Sequence, residues 1–299
     1  VIVFTTVAGA AQGLVVVVAL STLLGLPMSE RLAGTSLWLA LAMLLVGLGA
    51  SFLHLGRPER AWRAAAMWRT SWLSREVIVL PAFAALVALW AVWGRGAPWP
   101  LPLLALLMAA LLWWCTAMIY ACLRFIQEWA HPLTLLNYTL IGLASGAVLA
   151  CALAALLGDL AALRAIGPWA LLGTAVAAFG RWLALRRNAA LKPKSTLQSA
   201  TGIRNPKLAQ VSMGMTGGAF ATREFFHGRT LATLRWVKLG FVIAAFALPS
   251  ALLLWGLTAG SSAAFVLAAL VQAPGLLAER WFFFAQARHP QNLYYQVVS

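Results

Sequence analysis

Eight stretches of this 299-residue chain are apolar over lengths that match a lipid bilayer, and no other feature restricts the fold as strongly. A helix that crosses hydrocarbon needs roughly 20 mostly apolar residues, because every backbone N–H and C=O must find its partner within the segment. The runs fall near 3–26, 35–55, 77–94, 101–123, 133–157, 167–185, 236–257 and 262–284. Hydrophobic residues make up 63% of the chain and charged residues 10%. Soluble domains carry about 25% charge, so a soluble fold is excluded. The expected structure is all-α: a polytopic bundle of eight transmembrane helices forming a single membrane domain over residues 1–299. Pro81, Pro249 and Pro274 fall inside these runs and predict kinks.

The net charge of +15 would suit nucleic acid on a soluble protein. Here its distribution points to a membrane instead. With eight spans, both termini and every even-numbered loop share one face, and 19 of the 22 Lys and Arg fall on it. Only Arg31, Arg95 and Arg164 lie opposite. By the positive-inside rule the basic face and both termini are cytoplasmic, which predicts a multi-pass protein of a bacterial inner membrane. The chain opens on Val1 with no basic region ahead of its first apolar run, so a missing initiator residue is expected and a cleavable signal peptide is not. Cys115, Cys122 and Cys151 sit in predicted spans without a CxxC spacing, which predicts neither a disulfide nor a metal cluster in this chain.

Ionisable residues gather beside the basic face, most densely from Phe52 to Glu76. There the chain places a histidine, two glutamates, five arginines and three tryptophans between two apolar runs. Gly47, Ala50, Ser51 and His54 form a small-residue stripe at helical spacing, which turns His54 toward a helix neighbour. Pro58 suits the first turn of a short helix, and Trp62 and Trp68 suit the head-group level. Ser74 is the expected cap of the third span, with Glu76 in its first turn.

Such a cluster offers what a quinone needs, namely donors to its two carbonyls and a proton supply at a lipid-accessible slot. His54 can donate to a carbonyl and titrates near neutrality, and Glu76 can relay protons from the water. Arg57 or Arg60 can favour the ionised carboxylate or stabilise negative charge developing on the ring oxygens. The competing reading is structural, with Glu76 favouring a helix N-terminus and the arginines enforcing topology. Haem is not expected, since only His54 lies close to an inward-facing stripe. Gln12 is expected to join helices, Trp113, Trp114 and Tyr120 to pack or anchor, and His131 and His289 to be structural.

Residues 186–235 form a long basic, glycine-punctuated connection that predicts a docking surface for a peripheral subunit, with membrane lipid as the alternative. It carries Arg204 and Lys207, then Arg223, Glu224 and His227. A polar tail follows from 286 to 299. A small-molecule transporter would need a polar path through the midplane, for which Gln12, Gln272 and the prolines are thin material. A purely structural tether would leave His54 and Glu76 dispensable.

Three blocks resemble the membrane anchor subunit of dimethyl sulfoxide reductase-type complexes. They are His54-Leu55-Gly56-Arg57-Pro58-Glu59-Arg60-Ala61-Trp62-Arg63 followed by Ser71-Trp72-Leu73-Ser74-Arg75-Glu76, then Gly217 to His227, and Glu279-Arg280-Trp281 through Tyr295. The resemblance implies a three-subunit enzyme. A molybdopterin subunit would perform the substrate chemistry, and a ferredoxin-like iron–sulfur subunit would carry electrons. The anchor, inactive alone, would exchange them with ubiquinone or menaquinone. It also implies that His54, Arg60 and Glu76 belong to the quinone site, to which Arg57 and Trp72 are added from the same stretch. With both partners expected on the cytoplasmic side, the chain is similar to anchors of sulfite-oxidising, cytoplasm-facing members; a quinol-oxidising reductase is the alternative.

Overall fold

The computed structural model describes residues 1–52, 57–209, 211 and 225–290, with the main chain alone at Pro58 and Arg95. Within the described residues the structure is all-helical and contains eight helices long and apolar enough to cross a membrane. In chain order these are α1 (Ile2–Leu23), α2 (Glu30–Phe52), α3 (Trp72–Trp93), α4 (Pro100–Ala121), α5 (Pro132–Leu157), α6 (Leu160–Ala189), the composite span Leu231–Ala259 and α10 (Ser262–Ala285). A short α7 (Leu197–Thr201) precedes the composite span, which is built from α8 (Leu231–Phe241), a π-helical turn Val242–Ala247 and α9 (Leu248–Ala259).

The lipid, not water, explains the surface. Trp38, Leu45, Val46, Val92, Leu107, Phe179 and Leu270 are all exposed on the outside of the bundle. Leucine and valine on that scale are tolerable only against hydrocarbon. α1 and α5 are the inner helices, each 61% buried over its apolar window against 28–39% for the others. They cross at glycines. A Cβ on Gly13 would fall against the Gly142 oxygen and 2.8 Å from its carbonyl carbon, so the two backbones touch. Without a hydrophobic drive between helices in lipid, such close backbone contact is what holds them together.

Pro249 leads to a local solution of a general problem. Proline lacks the N–H that would bond the carbonyl four residues back, at Ala245. The helix widens into the π turn there, and Gln272 of α10 donates its Nε2 to Ala245 O at 3.1 Å. Gln272 is therefore engaged in closing a helix. Pro81 and Pro274 lie inside α3 and α10 as expected, and Pro168 lies inside α6 because that helix starts seven residues ahead of the predicted span. Asp159 sets that start. Its Oδ1 accepts from Ala162 N at 3.0 Å, capping α6, while Oδ2 accepts from Ser29 N at 2.8 Å and ties the α1–α2 turn to the α5–α6 turn.

At the other end of the bundle, aromatic rings bind the loops together. Tyr120 meets the rings of Trp129, Tyr138, Phe283 and Phe284 at 5.3–5.9 Å, and Trp129 Nε1 donates to Phe283 O at 3.0 Å. Phe225 stacks on Phe284 at 4.7 Å and Ile2 packs into the same cluster. Tyr120 is thus a packing residue. The loops after α2, α4 and α6 share this end of the bundle, opposite the Asp159–Ser29 tie.

Candidate functional site

α3 begins one turn earlier than the sequence suggests. Ser71 is its cap, accepting from Ser74 N at 3.3 Å, and Ser74 is the residue that donates. Glu76 therefore lies beyond the first turn, past the reach of the helix-end charge that would have explained it as a stabiliser. The cause is the preceding segment: a 3-10 helix, Pro58–Ala65, starts at Pro58 as expected and delivers the chain through a turn at 66–71. Arg75 fixes that turn, donating to Trp68 O and Arg69 O at 2.9 Å each while its guanidinium covers the Trp72 ring at 4.1 Å.

Glu76 is 4% exposed and faces α4, where the Thr116 hydroxyl donates to Oε1. A carboxyl group buried in a span is costly, which makes Glu76 a candidate for function. Arg57 and Arg60 do not share its environment. Both are exposed on the 3-10 segment, and Arg60 lies 3.9 Å from Glu59. Trp72 is half-buried under Arg75. His54 lies outside the described residues, as do Arg223 and Glu224. Arg204, Lys207 and His227 are exposed.

The structure adds a second polar centre that the apolar runs concealed. Arg181 of α6 and Glu279 and Arg280 of α10 are 3%, 2% and 5% exposed. Arg181 Nε sits 2.8 Å from Glu279 Oε1, whereas Arg280 Nε is 4.0 Å from Glu279 Oε2, too far to bond. The Arg280 guanidinium instead covers the Tyr138 ring at 3.9 Å. Arg181 was counted among the 19 Lys and Arg of the basic face. It is an interior residue, because α6 continues to Ala189, and by simple helical rise it lies about 12 Å inside that end. Tyr120 and Tyr138, their rings stacked at 5.9 Å, lie within electrostatic range of both Glu76 and Arg280. The two centres are therefore neighbours.

Two cavities flank the Glu279–Arg280 pair, each of about 20 Å³. That is room for a water molecule. The inner one is walled by Gln12, Trp113, Thr116, Tyr138, Glu279 and Arg280, and so touches the partner of Glu76. Gln12 spends its Nε2 within its own helix, on Ala8 O at 3.1 Å, and its buried Oε1 accepts no hydrogen bond from the described residues. The outer cavity is walled by Glu128, His131, Asn137, Arg181 and Arg187 besides Glu279 and Arg280. His131 caps α5, its Nδ1 accepting from Leu133 N at 3.1 Å. Its pKa lies below the usual imidazole value, through burial and the neighbouring Arg187. Among the described residues no group of His, Cys, Asp and Glu side chains is arranged to hold a metal ion.

The sequence model of the family described as "DMSO reductase anchor subunit (DmsC)" matches residues 1–253. The C subunit of the sulfite dehydrogenase of Allochromatium vinosum is 48% identical to the chain over 321 aligned residues, which take in 100% of this chain and 98% of that protein.

Proposed function

The chain belongs to the family of DMSO reductase anchor subunits, and on that premise we propose that it is the quinone-reactive membrane subunit of a molybdopterin and iron–sulfur oxidoreductase. In this reading it passes electrons between the clusters of a ferredoxin-like partner and the quinone pool. The likeness to a sulfite dehydrogenase subunit supports sulfite oxidation as the source of those electrons. The basic connection between α6 and α8, with Arg204, Lys207, Arg223, Glu224 and His227, docks the partner on the cytoplasmic side of a bacterial inner membrane.

The observation that carries the proposal is the burial of Glu76 under the Thr116 hydroxyl, beside a water-sized cavity. The donor set fits a quinone head group. A buried carboxyl group, the Thr116 hydroxyl that orients it, and His54 from the segment outside the described residues supply hydrogen bonds and protons. A cavity of about 20 Å³ takes water and not a six-membered ring, so it belongs to the proton supply. A bound quinone would accept two electrons; Glu76 would hold the proton that must accompany each, at the carboxyl oxygen not engaged by Thr116. Trp72 would wall the site, while Arg57 and Arg60, exposed as they are, would form its rim. The same groups serve a quinol-oxidising complex if the electrons run the other way, the direction suggested by the reductase in the family's description.

The test is purification of the native complex in mild detergent, with mass spectrometry of its subunits and of its lipid extract. Sulfite-dependent turnover is then measured with a short-chain quinone and with a water-soluble dye that takes electrons from the partner subunits. Glu76→Gln keeps the shape and the Thr116 contact but removes the exchangeable acid. Lost acid–base catalysis is worth about 10²–10⁴-fold, so the quinone-to-dye turnover ratio should fall by at least about 100-fold. An unchanged ratio in an assembled complex removes Glu76 from the site. A complex that turns over dimethyl sulfoxide with quinol and leaves sulfite untouched keeps the anchor reading and reverses the electron flow.

A further inference from the structure

Most of the unmet hydrogen-bonding capacity of the interior converges on one line. Of the twelve buried side-chain nitrogen and oxygen atoms that lack a well-aligned partner among the described residues, nine belong to side chains walling the two cavities. They include Gln12 Oε1, Trp113 Nε1, Asn137 Oδ1, Arg181 Nη2, Glu279 Oε2 and Arg280 Nε. Buried polar groups are met by protein or by ordered water, and each cavity has the volume and the polar partners that one water requires. A carboxylate and two guanidinium groups inside spans are also costly to keep where aliphatic side chains would pack as well.

The line has two defined ends. Outward, the second cavity reaches Glu128 and His131 of the loop between α4 and α5 and Arg187 of α6, which donates to Gln127 O of that loop at 2.9 Å; all three are partly exposed. Inward, the first cavity reaches Thr116, whose hydroxyl is bonded to Glu76. Between them stand Glu279 and Arg280, which wall both.

We propose that the Arg181–Glu279–Arg280 cluster, with the cavity on each side of it, is the proton path from the aqueous surface at the α4–α5 loop to Glu76. This rests on the quinone reading in that Glu76 is its terminus. The arginines keep their protons at any physiological pH, so they order water and do not titrate. Glu279, the waters and the hydroxyls of Tyr138 and Thr116 exchange protons. For each proton that Glu76 releases toward the head group, one enters at the surface. Two pass for every pair of electrons, and no charge accumulates in the protein.

The experiment uses the purified complex with sulfite, a short-chain quinone and the water-soluble dye. Glu279→Gln keeps the side-chain volume and removes the exchangeable carboxylate. Ala184→Leu fills the outer cavity, which Ala184 walls, without altering a charged group. Each variant is expected to assemble with its quinone content intact, to lose at least tenfold (Glu279→Gln) or fivefold (Ala184→Leu) in the quinone-to-dye turnover ratio, and to show at least twice the wild-type solvent isotope effect. A merely structural role would lower yield and quinone content and leave the isotope effect where it was. If Glu279→Gln fails to assemble, Ala184→Leu decides. Ratios within twofold of wild type with an unchanged isotope effect overturn the path, and they do so without touching the quinone reading when Glu76→Gln remains impaired. A wild-type complex with neither extractable quinone nor quinone turnover overturns both.

Discussion

Gly13→Ala sets two physical effects of opposite sign against each other inside the wall of the candidate site. Alanine is the better helix former by about 0.8–1.0 kcal/mol, so propensity alone makes the substitution stabilising. The crossing with α5 makes it the reverse. The new methyl would strike the Gly142 oxygen, lie 2.8 Å from its carbonyl carbon and 3.1 Å from the Gly146 Cα, all of them backbone that cannot rotate away. Restoring ordinary contact requires the two helices to part, and overpacking of this kind costs about 1–3 kcal/mol. The steric term wins, leaving a net loss of about 0–2 kcal/mol together with a shift of α1 from α5. That shift moves Gln12 and Thr5 relative to Tyr138 and Ser145, the facing walls of the inner cavity. Gly9→Ala is the control: it lies one turn earlier on the same helix, and nothing stands within 4 Å of its added methyl. The assay is thermal unfolding of the purified complex followed by aggregation-sensitive chromatography, with extraction of bound quinone from each variant. Gly9→Ala should melt at or above the wild-type temperature and keep its quinone. Gly13→Ala should melt lower and retain less. A Gly13→Ala complex as stable as Gly9→Ala would refute the close crossing of α1 and α5.

Further predictions concern the two ends of the bundle. His131 caps α5 through an unprotonated Nδ1, and its folded pKa is depressed by burial and by Arg187, so the stability it contributes is present above about pH 6.5 and is lost as pH falls through the lower folded value. The melting temperature should therefore decline on acidification below that point, and His131→Asn, which can cap without titrating, should flatten this part of the profile. Asp159→Ala removes the cap of α6 and the tie to Ser29 N together, and should cost about 1–2 kcal/mol in reversible unfolding, where Asp159→Asn, whose single amide oxygen keeps the cap on Ala162 N but not the tie to Ser29 N, should cost less. Trp129→Phe keeps the ring stack on Phe283 but deletes the bond to its carbonyl, for an expected loss of about 1 kcal/mol.

The eight crossings were legible in the sequence because the bilayer imposes a length and a polarity on each segment independently of its neighbours. The helix ends were less so. Ser71, not Ser74, caps α3, and Asp159 starts α6 seven residues early, since a cap is chosen by local backbone geometry and several residues of similar chemistry compete for it. Glu76 was legible as a candidate, but the partner that defines it, Thr116, lies 40 residues away and carries no signal of its own. Arg57 and Arg60 looked equivalent to it in one dimension; the 3-10 segment leaves both at the surface.

The interior cluster shows the division most clearly. Arg181, Glu279 and Arg280 each stand inside an apolar run, and a charge in such a run is a signal the sequence does carry. What it cannot supply is the pairing. α5 packs against both α6 and α10, as does the composite span through its π turn and α9, and that packing brings Arg181 within 2.8 Å of Glu279 and sets Arg280 over Tyr138. Sequence by itself determined the class and the number of spans, because solvent transfer acts residue by residue, and its motif blocks carried the likeness to the family. The tertiary structure decided which polar groups share a cavity, because a buried charge is tolerated only where another helix brings it a partner.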